Sequence, residues 1–193
     1  MTGNSWTGRV AVATGLTFAA GPAGAVEAPP LAGCYARVYD AAHLSRHKDQ
    51  FVTRISLSVA AASRAMADTQ GTGGSPIVAQ GKLRMWVRGH RQSFDSHGAC
   101  EATGSGLMCG GSLSAAEADT CKSRRDGVRD CRVDPADSGS FKIEARPDGI
   151  LVSIAERLEL VPAPYDGGPF LSISPANSEN RAFLLKSAPD ACK

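Results

Sequence analysis

The sequence predicts a mainly β domain with a short N-terminal helix. It should close as a small antiparallel barrel held by disulfides, with a two-sheet sandwich as the alternative topology. Three observations lead there: short segments that alternate apolar and polar residues, turn-forming pairs between them, and six cysteines in a chain that starts like an export signal.

Arg9 is the first charge in the chain, residues 10–20 are apolar, and Ala23-Gly24-Ala25 then offers the small residues that a signal peptidase accepts. That order predicts a signal peptide over residues 1–25 and a mature start at Val26. The apolar stretch is shorter than the ~20 residues of a spanning helix, so no transmembrane segment is expected in the mature chain. Leu31-Ala32-Gly33-Cys34 offers an alternative, a lipid anchor through Cys34. Glu27 and Pro29-Pro30 separate it from the apolar stretch, and acylating Cys34 would leave an odd number of cysteines.

What remains, roughly 170 residues, is the size of one ordinary domain. The full chain has 21 Lys and Arg against 19 Asp and Glu, and loss of Arg9 leaves 20 against 19. A balance so close to neutral gives no reason to expect nucleic acid as a partner.

Along the chain, residues 34–48 have helical spacing, with Tyr35, Val38, Tyr39 and Ala42 on one side and neither Gly nor Pro inside. From Phe51 the period changes to two. Phe51, Thr53, Ile55, Leu57 and Val59 share one face, and Arg54, Ser56 and Ser58 the other. Residues 60–81, with Gly and Thr around Gly71-Thr72-Gly73-Gly74, are expected to form a mobile loop. Alternation resumes with Leu83, Met85 and Val87 opposed by Arg84, Trp86 and Arg88. A hairpin turning at Asp148-Gly149 would pair Ile143 with Ile154, Ala145 with Val152 and Glu144 with Ser153, like facing like. Further strands are expected over residues 169–173 and 181–186, joined by the turn-rich run 174–178. About eight strands with short connections favour the barrel.

The six cysteines lack any Cys-x-x-Cys pair, which favours disulfides over a redox or zinc centre. A two-residue turn at Gly104-Ser105 places Cys100 opposite Cys109 at a site where side chains are closest. Cys121 and Cys131 could face each other across Arg125-Asp126-Gly127, although Ser114-Ala115-Ala116-Glu117 reads as a capping box that would make the first arm helical. Cys34 and Cys192 then pair by elimination.

Two groups of residues invite a chemical role. Arg84, Trp86, Arg88 and His90 on one strand face would combine an aromatic ring with guanidinium groups, suited to a sugar, an anionic group or a partner's carboxylate. The plainer reading is a Trp covering a sheet with arginines keeping it soluble. His43 and His47 lie four apart on the expected helix, as two metal ligands would, with Asp40 one turn earlier and His90 or His97 able to complete the set if the fold brings them near. Asp134-Pro135-Ala136-Asp137-Ser138-Gly139 lacks the alternating oxygens of a calcium loop and reads as a turn. Arg124, Arg125, Arg129 and Arg132 alternate with Asp126, Asp130 and Asp134, the pattern of a solvated, self-paired loop.

No nucleophile elbow, phosphate loop or His-Glu-x-x-His motif is present. The expectation is an exported binding or interaction module, a periplasmic inhibitor or envelope-associated factor, with a small molecule or a protein as its partner. Its cofactor is unknown. The alternatives are a metal-binding protein using His43 and His47, and a hydrolase whose site forms only in three dimensions.

Overall fold

The computed structural model describes residues 31–67, 74–112, 138–164 and 170–192. Ten strands run in the order β1 (Gly33–Val38), β2 (Val52–Ala61), β3 (Ile77–Val87), β4 (Ser93–Thr103), β5 (Gly106–Ser112), β6 (Ser140–Arg146), β7 (Gly149–Ile154), β8 (Leu158–Ala163), β9 (Leu171–Ile173) and β10 (Ala182–Ser187). Among the described residues two short helices, α1 (Ala41–Arg46) and α2 (Arg64–Ala67), interrupt them, and a 3-10 turn, Pro189–Cys192, follows. β1 to β7 form an antiparallel meander, and β10 pairs with both β7 and β1, so eight strands close into a barrel. β8 and β9 are an excursion from it, with β8 pairing on the first residues of β4 and β9 on β8.

Closure follows from the alternation. On β3 every second residue from Ile77 to Val87 is buried and those between are partly exposed. The same period gives Ile55, Leu57 and Val59 on β2, Leu107 and Cys109 on β5, Phe141 and Ile143 on β6, Ile150, Val152 and Ile154 on β7, and Phe183 and Leu185 on β10, all buried. Eight strands enclose a space just wide enough for such side chains to fill. Phe141 occupies its middle: a Cβ added at Gly81 would lie 3.2 Å from the Phe141 ring and 3.3 Å from Cys100 Sγ, and one at Gly98 would meet Gly110 O at 2.9 Å. The glycines of β3 and β4 thus make room for one large ring and one disulfide.

That disulfide is Cys100–Cys109, directly across the Gly104-Ser105 turn with Cα atoms 4.0 Å apart, as the sequence predicts. Cys34–Cys192 is the second, joining β1 to the 3-10 turn. It engages the sulfur that the lipid-anchor alternative would acylate. Two disulfides agree with an oxidising, non-cytoplasmic location. Among the described residues no helix is long and apolar enough to cross a membrane. The signal peptide, the Cys121/Cys131 pairing, the capping box, the arginine cluster and residues 134–137 of the 134–139 turn lie outside the described residues.

The structure corrects four expectations of detail. The helix over residues 34–48 is confined to Ala41–Arg46. Residues 33–38 are a strand because Tyr35 and Arg37 lie opposite the buried Leu57 and Ile55, and the helix starts only where the Asp40 carboxylate caps it by accepting from His43 N. On β2 the register shifts between Val52 and Arg54, so Val52 rather than Phe51 or Thr53 continues the buried face. The loop expected over residues 60–81 is shorter, since β2 extends to Ala61 and β3 begins at Ile77. Ala79 and Gly81 are buried positions on β3 whose small size hides the alternation. Finally, the β6–β7 hairpin turns at Pro147-Asp148, pairing Ile143 with Val152 and Ala145 with Ile150, two residues from the expected register. The same residues stay inside because a shift of two preserves the face. Gly149 begins β7 with φ of 147°, and a Cβ there would lie 2.0 Å from Leu185 O, so the glycine serves a close approach to β10 rather than the turn itself.

Candidate functional site

Two places on the barrel concentrate polar and aromatic side chains: its outer wall over β1–β4 and the rim beside α1.

On the wall the ladder registers line up residues from successive strands. Val38 lies opposite Arg54, Arg54 opposite Trp86, and Trp86 opposite Ser93. The next row runs Ala36, Ser56, Arg84 and Asp95, and the one after it continues through Ser58, Lys82 and His97. Val38 is 70% exposed, the exposed large apolar side chain among the described residues. The Arg54 guanidinium carbon sits 4.2 Å from the centre of the Trp86 ring, a cation–π stack. Arg84 donates from Nε and Nη2 to the two oxygens of Asp95, each at 2.7 Å, and Lys82 Nζ adds a third contact at 3.3 Å. Asp95 is buried beneath these cations, and its hydrogen bond holds the Arg84 guanidinium above its already high ordinary range. Arg84 is therefore committed within the wall, whereas Trp86 and Arg54 offer their surfaces outward.

The other two members of the expected strand face lie beyond the strand end. Arg88 follows β3 in a turn and donates to Leu44 O at 2.6 Å, His47 O at 3.3 Å and Lys48 O at 3.4 Å, closing the C-terminal end of α1. His90 sets its ring edge-on to Phe94, with centroids 5.2 Å apart. The face thus contains Arg84 and Trp86, joined by Arg54 and Val38.

At the rim, His43 and His47 stack with ring centres 4.3 Å apart and 21° between planes. Gln50, buried, donates from Nε2 to Val52 O, so its Oε1 accepts from His43 Nε2 at 2.9 Å. Glu179 Oε2 lies 2.8 Å from His47 Nδ1, which fixes the proton on that nitrogen. Tyr39 packs on His43 with centres 4.8 Å apart and is covered by Arg37, 4.8 Å from its ring centre. Burial pushes the Tyr39 hydroxyl above its ordinary range, against the opposing influences of Arg37 and Gln50. Asn180 ties the group together: its Oδ1 accepts from Phe51 N and Val52 N, and its Nδ2 donates to Asp49 O.

Asp40 is spent as a helix cap, and among the described residues no group of three or more His, Cys, Asp or Glu is placed to hold a metal ion. His97 sits on the wall opposite Lys82 and His90 in the turn after β3. The rim cluster is mostly a set of mutual hydrogen bonds that locks α1 and the β9–β10 connection onto the barrel.

Sequence reasoning did not reach Arg54, Val38, Gln50, Glu179 or Asn180. Arg54 was legible as a polar-face residue of β2, but only the β2–β3 register sets it against Trp86. Glu179 and His47 are 132 positions apart, a pairing without a local signal.

The described residues define an eight-stranded antiparallel barrel whose core is packed with its own side chains. No protein-family model matches the chain, and no curated protein or solved structure is similar to it.

Proposed function

We propose that the chain is an exported interaction module that presents the β1–β4 wall to a protein partner in the bacterial envelope, as a periplasmic inhibitor or envelope-associated factor does. The observation that carries this reading is the row Val38, Arg54, Trp86, with Val38 exposed and the other two half-buried, on a barrel whose core is packed with its own side chains. A small molecule needs a concavity to bury most of its surface, whereas an aromatic and guanidinium patch on an outer wall suits a protein surface. The disulfides support the exported setting.

The test is selection of a displayed random peptide library on the disulfide-intact domain, followed by affinity measurement on Trp86→Ala and Trp86→Phe. Loss of a central aromatic anchor should weaken the selected peptides about tenfold or more, with Phe retaining part of the affinity. Peptides that bind Trp86→Ala as they bind the parent would place the contact elsewhere. Unfolding of both variants would make Trp86 a structural residue and end the proposal.

A further inference from the structure

Arg54 departs from the other cations of the wall. Arg84 and Lys82 share the Asp95 carboxylate. Arg54 makes no ion pair among the described residues, and its Nε is buried with no hydrogen-bond partner. Its guanidinium carbon lies over the Trp86 ring, 4.2 Å from the centre. Stacking orients the guanidinium plane before any ligand arrives, so less rotamer freedom is lost when it binds. The Nε edge faces the wall, which leaves the end carrying Nη1 and Nη2 for a ligand. The wall sets Arg54, Lys82 and Arg84 against Asp95 and Glu101, an excess of one positive charge, and Arg54 is the cation of the three without an acid partner among the described residues. The neighbouring Val38 supplies exposed apolar surface across the β1–β2 ladder.

We infer that Arg54 is the anion anchor of the wall. It takes a carboxylate of an acidic polypeptide segment end-on through Nη1 and Nη2, while Val38 and the Trp86 ring receive an apolar side chain beside that carboxylate. The inference rests on the reading of this wall as a protein-binding surface, and it names the partner's chemistry: Asp or Glu adjacent to an aliphatic or aromatic residue. A planar fork meeting a carboxylate with two parallel hydrogen bonds gives the strongest and most directional of the common ion pairs.

The experiment uses peptides selected from the displayed library on the intact domain, measured against the parent, Arg54→Gln, Arg54→Lys and Trp86→Ala. The expected peptides share an acidic residue. Arg54→Gln weakens them about tenfold, amide replacement of that acidic residue weakens them equally, and both changes together cost little more than either, the signature of a direct pair. Arg54→Lys recovers less than half of the loss, because an ammonium neither stacks nor forks. Binding to the parent falls with added salt more steeply than binding to Arg54→Gln. Thermal melts of each variant check the fold; if Arg54→Gln fails to fold, Arg54→Lys with the amide-replaced peptide supplies the comparison.

If Trp86→Ala loses binding while Arg54→Gln does not, the anchor is overturned and the wall remains the interface. If both variants bind like the parent, the wall reading falls with it. Displacement of the peptide by inorganic phosphate, but not by acetate at equal ionic strength, would assign the site to phosphate groups and overturn the carboxylate.

Discussion

Replacement of Asn180 by Ala tests how the rim is held. Asn180 is fully buried, and its carboxamide makes four hydrogen bonds: it accepts from Phe51 N at 3.1 Å and Val52 N at 3.2 Å, and donates to Asp49 O at 2.9 Å and Asn177 Oδ1 at 3.1 Å. Truncation leaves the buried Val52 N–H without an acceptor, a loss of about 1–3 kcal/mol, and the N–H of the half-buried Phe51 and the carbonyl of the exposed Asp49 lose about 0.5–1 kcal/mol each. The sum is about 2–5 kcal/mol, which corresponds to a fall in Tm of roughly 4–20 °C for a domain of this size. Urea unfolding followed by circular dichroism in an oxidising buffer should show a lower midpoint with an unchanged slope. Asn177→Ala is the control, because Asn177 is only half-buried and should lose about 1 kcal/mol. Hydrogen exchange should quicken first at Phe51 and Val52. A loss below about 1 kcal/mol for Asn180→Ala would refute the reasoning, since the two backbone donors would then have another acceptor.

Two further outcomes follow from the core and the rim. Gly98→Ala puts a methyl 2.9 Å from Gly110 O and 3.0 Å from Cys109 Cβ and should destabilise the barrel by about 1–3 kcal/mol, whereas Gly104→Ala, with nothing within 4 Å, should shift stability by less than about 0.5 kcal/mol; equal urea midpoints would contradict a filled interior. Tyr39, desolvated by burial, should ionise above the ordinary range of a tyrosine hydroxyl in an ultraviolet titration. A raised folded pKa means stability present below the unfolded pKa and lost as pH rises through the folded one, so Tyr39→Phe should flatten the alkaline loss of stability, and an unaltered profile would show that Tyr39 is not buried in solution.

The parts of this fold legible in the sequence are those whose signal is local. The Gly104-Ser105 turn and its flanking cysteines fix a register by themselves, and the alternation from Leu83 to Val87 survives because each inward residue is large. The residues of β1 carry a helical reading because Tyr35, Val38 and Tyr39 have helical spacing; what decides against it is pairing with Leu57 and Ile55 some twenty residues later and with Ser187 at the far end. Ala79 and Gly81 concealed the start of β3 for the opposite reason: their small size suits the space that Phe141 and the Cys100–Cys109 disulfide occupy. In the candidate site, Trp86 and Arg84 could be placed on one face from β3 alone. The partner that distinguishes them could not, because Asp95 binds Arg84 and Arg54 covers Trp86 through pairings between strands.

The seam between β1 and β10 has a mechanical consequence. Its ladder registers only Tyr35 with Ser187 and Ala36 with Lys186, whereas β3 and β4 pair from Ile77 with Glu101 to Trp86 with Ser93. The barrel is a hoop, and its shortest join lies where its first and last strands meet. Cys34–Cys192 acts there as a clasp, with Ala188 N donating to Cys34 O beside it. Tension applied to the two ends of the described chain passes through the covalent bond before it reaches the ladder, so the domain resists being peeled open from its ends while the clasp is oxidised. Once the bond is reduced, the two-pair join carries that load alone. Its opening would expose the backbone of β1 and β10 as two free sheet edges, turning a closed surface into one able to pair with other chains.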